Sequence, residues 1–252
     1  MPTYGLIGYP LTHSFSRRYF TQKFADLGLA DSHRYLNFEL PSLGELHPTL
    51  SSFPDIAGCN VTIPYKQQII PYLDSLDPVA ERIGAVNTLR FSADGIRGYN
   101  TDHSGFRDDL TYQLQQQGYA TDLRGTGALI LGTGGASLAV REALQEMGAS
   151  VTFVSRNPGD RRITYADVDD RILASHRLVV NTTPLGTYPA IEGVPALPFA
   201  LLTRDHFCYD LVYNPAITTF LRLSAAAGAG TANGLGMLHR QAEKAWEIWN
   251  GE

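Results

Sequence analysis

Residues Gly127-Ala128-Leu129-Ile130-Leu131-Gly132-Thr133-Gly134-Gly135-Ala136-Ser137-Leu138-Ala139 pass from an apolar run through a glycine-rich turn into a helix-forming stretch. The apolar run has the length of a buried strand. Glycines at 132, 134 and 135 permit a tight turn and let the backbone approach a pyrophosphate. A helix over Ala136 to Met147 would then turn its free N–H groups and positive dipole end toward that phosphate. A glycine turn alone is also an ordinary strand-to-helix connection. This one has the strand, turn and helix in the order the phosphate mechanism requires. Ser137 stands where a third glycine is usual and is small enough for close packing. Gly132, Gly134, Gly135 and Ala136 are therefore candidate dinucleotide contacts.

The next strand, Ser150 to Ser155, chooses between dinucleotides. An NAD site places Asp or Glu at this strand end to hold the ribose 2′-hydroxyl. Here the chain reads Ser155-Arg156-Asn157, with no acid. Arg156 can stack on adenine and pair with the 2′-phosphate of NADP, and Arg161 and Arg162 lie just downstream. The plainer reading of Arg156 is a solvated loop arginine. NADP(H) is the expected cofactor.

Outward from this unit, the first hundred residues alternate strand and helix patterns. Strands are expected over Tyr4–Gly8, Arg34–Leu40, Gly58–Ile63 and Ala85–Phe91. Helices are expected over Ser16–Leu27, Ser42–Phe53 (interrupted near Pro48) and Pro78–Ile83. That pattern predicts a parallel or mixed sheet with covering helices. A helix over Ser104–Gln117 and a polar stretch, Gly118 to Thr126, read as the crossing to the second α/β unit. Val179–Asn181 and Cys208–Val212 look like later strands, Ala225–Ala229 is a run of small residues, and Leu235–Trp249 is a helix. The fold class is α/β with two domains, 1–104 and 105–232, the segment 233–252 packing back on the first.

The bulk composition fits. The chain has 252 residues, 44% hydrophobic and 18% charged, with net charge −5, enough apolar surface for a proper core. The absence of a basic run speaks against nucleic acid. Two distant cysteines, Cys59 and Cys208, suggest neither a disulfide framework nor a cysteine-rich zinc site, and no metal is expected. No apolar run has membrane-spanning length and the start lacks a signal-peptide pattern, so the expected location is the cytoplasm.

Three polar segments in the first half sit at or just past expected strand ends, where open α/β sheets bind ligands. They are Thr12-His13-Ser14-Phe15-Ser16, Asn60-Val61-Thr62-Ile63-Pro64-Tyr65-Lys66, and the pair Gly84-Ala85-Val86-Asn87-Thr88 with Gly98-Tyr99-Asn100-Thr101-Asp102. Singly, each has a bland reading. Ser14 and Ser16 cap a helix, Lys66 is a surface lysine, Asn87 is a turn residue and Asp102 is a cap or an arginine partner. Together they offer hydroxyls, an amide, an ammonium and a carboxylate, a set able to grip a small polyhydroxy acid. A Lys–Asp pair also suits proton transfer beside a carbonyl that receives hydride.

With these residues in hand, the chain resembles the shikimate dehydrogenase family from Gly8 to Ala245. The second and third segments carry the resemblance, with Asn181-Thr182-Thr183-Pro184-Leu185-Gly186, Asp210-Leu211-Val212-Tyr213-Asn214-Pro215 and Asn233-Gly234-Leu235-Gly236-Met237-Leu238-His239-Arg240-Gln241-Ala242. The resemblance implies an N-terminal α/β substrate domain, a Rossmann NADP-binding domain and a C-terminal helix returning to the first. It implies NADPH-dependent reduction of 3-dehydroshikimate to shikimate, a small-molecule substrate, and a monomer or homodimer. By position, Ser14 and Ser16 match carboxylate-binding serines. Thr62, Asn87, Asp102 and Gln241 match groups around the ring hydroxyls. Lys66 matches the catalytic lysine and Asp102 its partner, while Tyr213 matches a tyrosine near the carboxylate. The glycine loop, Ser155, Arg156 and Thr182 match cofactor contacts, and Gly234 and Met237 lie where the nicotinamide is approached.

Some positions depart from the family pattern. Arg17, Tyr19 and Phe20 replace a proline and a His-Asn pair, Ser155-Arg156-Asn157 replaces Asn-Arg-Thr, and Thr187 follows Gly186 where methionine is common. Rival readings are a quinate/shikimate dehydrogenase, often NAD-linked, and a methylenetetrahydrofolate dehydrogenase of similar two-domain plan. A third is a non-catalytic Rossmann protein that senses NADPH or a metabolite. Lys66 is either a true acid/base or mainly a positive charge.

Overall fold

A computed structural model describes residues 1–11, 15–159 and 162–251. The chain divides into two compact units, Met1–Thr101 with Ala242–Glu252, and Asp102–Gln241. The polar stretch 118–126 lies inside the second unit.

The first unit is built on β1 (Thr3–Gly8), α1 (Phe15–Asp26), β2 (Arg34–Glu39), α2 (Leu46–Ser51), β3 (Ile56–Val61), β4 (Ser75–Leu76), α3 (Pro78–Ile83), β5 (Thr88–Ser92) and β6 (Gly95–Tyr99). Its sheet order is β2-β1-β3-β5-β6-β4. β1 runs parallel to β2 and β3, while β5 is antiparallel to both β3 and β6, so the sheet is mixed. The expected strand from Ala85 starts only at Thr88, and a hairpin turning at Ala93-Asp94 adds β6. The Asp-Gly pair at 94–95 is a hairpin signal. The expected helix at 42–53 is a 3-10 turn, Leu43–Glu45, followed by α2. Pro48 falls in the first turn of α2, where a missing N–H costs nothing. α3 shows a complete set of end signals: the Asp77 side chain accepts Val79 N–H, Pro78 is the first residue, and Gly84 closes the helix at φ 70°.

Alternation along β1 feeds two apolar clusters. Ile7 joins Cys59, Val61, Leu46, Leu50, Ile69 and Leu89 on one face. Tyr4 and Leu6 join Phe20, Phe24, Tyr35, Ala245 and Trp249 on the other. The last residues of the chain thus complete the first unit. Trp249 Nε1 donates to Leu89 O at 2.9 Å, and its indole covers Gly58 so closely that a Cβ there would overlap it. Tyr19 explains one departure from the family pattern: its hydroxyl donates to the Glu243 carboxylate, which also takes Lys23 Nζ at 2.6 Å.

The second unit contains α4 (Thr101–Gln116, whose first residue belongs to the first unit), β7 (Gly127–Leu131), α5 (Gly135–Glu146), β8 (Ser150–Ser155), β9 (Arg162–Thr164), α6 (Asp170–Ser175), β10 (His176–Asn181), β11 (Phe207–Asp210), α7 (Thr219–Ala226), β12 (Gly230–Asn233) and α8 (Leu235–Asn250), which continues into the first. The sheet order is β12-β11-β10-β7-β8-β9 and every pair is parallel. That is the doubly wound order, with its reversal between β7 and β10. Both faces are buried, as parallel sheets require. Ala128 and Ile130 pack with α4 residues Phe106, Leu110 and Leu114 and α5 residues Val140, Ala143 and Leu144. Leu129 and Leu131 pack against Leu173, Phe220 and Leu221 on the opposite face.

Candidate active site

In the first unit the polar candidates gather at the C-terminal ends of β1 and β3. Ser14 lies outside the described residues, with Thr12 and His13. Ser16, in the first turn of α1, is half-buried, and it lowers the pKa of the Tyr35 hydroxyl on β2. Tyr35 donates to Asn60 Oδ1 at 2.7 Å. Asn60 Nδ2 reaches Thr88 Oγ1 at 3.3 Å, and Thr88 donates to Asn87 Oδ1 at 3.1 Å. Asn87 Oδ1 also accepts Thr101 N–H at 2.7 Å, at the start of α4, while Asn87 Nδ2 donates to Thr101 Oγ1 at 3.0 Å. One buried chain therefore links Tyr35 to Asn87 and to the residue before Asp102. Burial holds the Tyr35 hydroxyl well above its usual range, with Ser16 opposing the shift, so it remains a donor at neutral pH. Sequence reading gave Tyr35, Asn60, Thr88 and Thr101 no role. Asn60, Thr88 and Thr101 lay within quoted segments, whereas nothing local marks Tyr35.

Thr62 and Lys66 follow β3. Thr62 N–H donates to Ile7 O at 2.9 Å, and Lys66 O accepts Val86 N–H at 2.7 Å. These backbone bonds fix the segment between them against β1 and the loop leading to Asn87. The Lys66 side chain is half-buried. Asp102 is buried in the first turn of α4, where a carboxylate also complements the helix dipole. The expected start of this helix at Ser104 is displaced because Asn87 caps it earlier, at Thr101.

In the second unit the glycine turn follows β7 at the sheet's reversal. Gly132 has φ 104°, which favours glycine, and a Cβ there would lie 3.0 Å from Thr182 Oγ1. Gly134 is the N-cap of α5 in an extended conformation, and a Cβ at Gly134 would meet nothing within 4 Å. Gly135 and Ala136 open the helix, so their N–H groups have no intrahelical partner. Ser137 is buried and donates its hydroxyl to Gly134 O at 2.6 Å, which satisfies it inside the turn. Such a start, open in front and free of bulk, fits a pyrophosphate.

β8 ends in Ser155, half-buried, and Arg156, exposed, follows it. Ser155 Oγ accepts Asn157 N–H at 3.2 Å, shaping the turn that carries Arg156. Arg161 lies outside the described residues. Thr182 follows β10, and its hydroxyl donates to Leu131 O at 2.7 Å, so it props the glycine turn. Beside it, buried Asp210 accepts Asn181 Nδ2 at 2.9 Å, Val212 N–H at 3.0 Å and the Thr218 hydroxyl at 2.5 Å. Burial raises its pKa to about 6 against these three donors. Asp210 holds the loop bearing Tyr213, which is exposed; sequence reading quoted both segments and missed this role. Gly234 meets Leu211 O so closely that no Cβ fits. Met237 is buried in the first turn of α8, and Gln241, one turn on, donates Nε2 to Leu238 O at 2.9 Å. Among the described residues, no three His, Cys, Asp or Glu side chains group as metal ligands, and no helix is long and apolar enough to cross a membrane.

Comparison with known proteins shows the family. Residues 6–89 match the family model described as the shikimate dehydrogenase substrate binding domain. The chain is 36% identical to a shikimate dehydrogenase (NADP(+)) of Halothermothrix orenii, covering 98% of this chain and 90% of that protein. It is 37% identical to one of Carboxydothermus hydrogenoformans, covering 98% and 91%. Among solved structures, the shikimate 5-dehydrogenase of Thermus thermophilus in complex with NADP(H) and shikimate superposes with a TM-score of 0.83 at 32% identity, over 100% of this chain and 94% of that one. With both sheets, the open glycine turn and this degree of identity along nearly its whole length, the chain belongs to the shikimate dehydrogenase family.

Proposed function

We propose that this protein catalyses 3-dehydroshikimate + NADPH + H⁺ ⇌ shikimate + NADP⁺, the reversible ketone reduction of the chorismate route to aromatic amino acids. The observation that carries the reading is a β8 end with Arg156 and no carboxylate, beside an open glycine turn at the reversal of a parallel sheet. The same chain holds a hydroxyl-and-amide network in its other unit. The N–H groups of Gly135 and Ala136 would hold the pyrophosphate and Arg156 the 2′-phosphate, with Ser155 and Thr182 shaping their surroundings. Bound NADPH supplies the hydride. Ser14 and Ser16 bind the substrate carboxylate with Tyr213 nearby, and Thr62, Asn87, Asp102 and Gln241 hold the ring hydroxyls. One Asn87 Nδ2 hydrogen is committed to Thr101, so the second is the one a ligand would take. Lys66 delivers the proton to the forming alkoxide, or stabilises it by charge, and Asp102 orients Lys66. Residence is cytoplasmic, as monomer or homodimer, with no nucleic-acid partner.

The test is the growth of NAD(P)H absorbance with shikimate, offering NADP⁺ and NAD⁺ in parallel, then quinate. Turnover with shikimate and NADP⁺ is expected, with Arg156→Ala raising the Michaelis constant for NADP⁺ at least tenfold, as loss of a charge-assisted phosphate contact predicts (roughly 1.5–3 kcal/mol). Equal use of NAD⁺ would defeat the Arg156 assignment. Preference for quinate would reassign the substrate. Folded protein that binds NADPH and turns over nothing would mean a sensor.

A further inference from the structure

Two buried ionisable groups have no part in the chemistry above. Asp109, 1% exposed, lies on α4, and Tyr209, 0% exposed, lies on β11. The Tyr209 hydroxyl donates to Asp109 Oδ2 at 2.7 Å, and the Asp109 carboxylate lies directly against Gly236 of α8. Arg240 Nε stands 3.5 Å from Asp109 Oδ1, and its guanidinium lies 5.6 Å from the Tyr112 ring centroid. Burial and the Asp109 charge hold the Tyr209 hydroxyl well above its ordinary range, so it stays protonated as a donor.

These contacts converge on the first turn of α8. A helix start leaves N–H groups that need partners. Leu235 N–H finds Asn233 Oδ1 at 3.1 Å, and Arg240, further along α8, pairs with Asp109. Glycines let the helix come close: a Cβ at Gly236 would overlap the Asp109 carboxylate, and one at Gly105 would lie 3.0 Å from Met237 O and Gln241 N. The start of α8 is thus pinned by close packing at Gly105 and at Gly236, the latter against the Asp109 carboxylate, which the Tyr209 hydroxyl holds in place. Gly234, Met237 and Gln241 ride on this turn and the next.

We propose that Tyr209 and Asp109 are positioning residues for hydride transfer, setting the depth and rotation of the α8 start and so the placement of the groups that border the reacting ring. This rests on the proposed approach of the nicotinamide to Gly234 and Met237. Misplacement of about 1 Å costs up to roughly a hundredfold in rate, while the phosphate contacts at the glycine turn stay intact.

The experiment compares the parent with Tyr209→Phe, which keeps the ring and loses the hydroxyl. Four quantities are read: kcat for shikimate oxidation, the NADP⁺ dissociation constant, the primary isotope effect with shikimate deuterated at the oxidised carbon, and the urea midpoint. We expect kcat to fall about tenfold and the isotope effect to rise, because hydride transfer becomes more limiting, with NADP⁺ affinity within about twofold. Asp109→Asn keeps an oxygen to accept from Tyr209 and should stay within about threefold of the parent, whereas Asp109→Ala should behave as Tyr209→Phe. If Tyr209→Phe yields no folded protein, the two Asp109 variants give the same contrast. A lower urea midpoint with kcat per folded enzyme and isotope effect unchanged would make the pair a core brace and overturn the proposal. Met237→Ala is measured alongside. If it too leaves the isotope effect unchanged, the placement of the ring at α8 is what fails; if it alone raises the effect, only the Tyr209–Asp109 role fails.

Discussion

At the scale of single residues, the candidate groups are placed in part by bonds of their own backbone. Lys66 is the sharpest case, since Val86 N–H fixes its carbonyl at 2.7 Å while the side chain extends from a half-buried position. Lys66→Ala should lose at least a hundredfold in kcat, within the ~10²–10⁴ range of general acid catalysis, with NADPH affinity kept; near-normal turnover would reject the role. Asp210 gives a prediction of another kind. Its carboxyl titrates at about 6 instead of 3.8 because burial outweighs three hydrogen-bond donors. The folded state binds this proton more tightly than the unfolded chain does. The stabilisation is therefore complete below pH 3.8 and is lost as pH rises through about 6. Relative to Asp210→Asn, the wild-type protein should lose on the order of 3 kcal/mol of unfolding free energy between about pH 3.5 and 7.5. Urea titrations of both proteins across that range would show it, and a pH-independent difference between them would mean an ordinary carboxyl.

At the scale of elements, legibility followed how locally each element is encoded. β7, its turn and α5 were readable because a strand of buried residues and three glycines specify them within one short stretch. β9, with three residues, and β12, Gly230-Thr231-Ala232-Asn233, carry no such pattern. They exist because neighbouring strands offer free edges. α6 and α7 were also missed, although Asp169 and Thr218 cap them by accepting N–H groups of the first turn, a signal the sequence does contain. In the site, residues inside the quoted segments were legible as candidates. Tyr35 and the Tyr209–Asp109 pair were not, because each makes its contact with a residue far away in sequence. Gly58 tests close element packing directly. It sits on β3 beneath the Trp249 indole, and Gly58→Ala must push that ring off its bond to Leu89 O. The overpacking and lost hydrogen bond together should cost about 2–4 kcal/mol, read as a lower urea midpoint; a change under about 0.5 kcal/mol would mean that the indole yields freely.

At the scale of the whole molecule, the chain leaves the first unit at Thr101 and re-enters it at Ala242. The first unit therefore cannot complete one of its two apolar clusters until the chain's end is in place. Trp249 sits at the centre of that cluster, with ring centroids 4.9 Å from Tyr4 and 5.0 Å from Phe20. The second unit has both of its clusters drawn from its own residues. Stability in such a chain need not be uniform, and each unit can open with its own free energy. Trp249→Ala removes an aromatic side chain that is 7% exposed, a change that typically costs about 3–5 kcal/mol. A typical domain has only about 5–15 kcal/mol in total. Amide hydrogen exchange in this variant should therefore speed up sharply in β1, β2 and β3, whose residues border the lost indole. Protection in β7, β8 and β10 should remain near that of the parent, because no atom of their clusters has been removed. Equal loss of protection in both sheets would show instead that the two units unfold as one cooperative body, and that the C-terminal segment stabilises the entire chain.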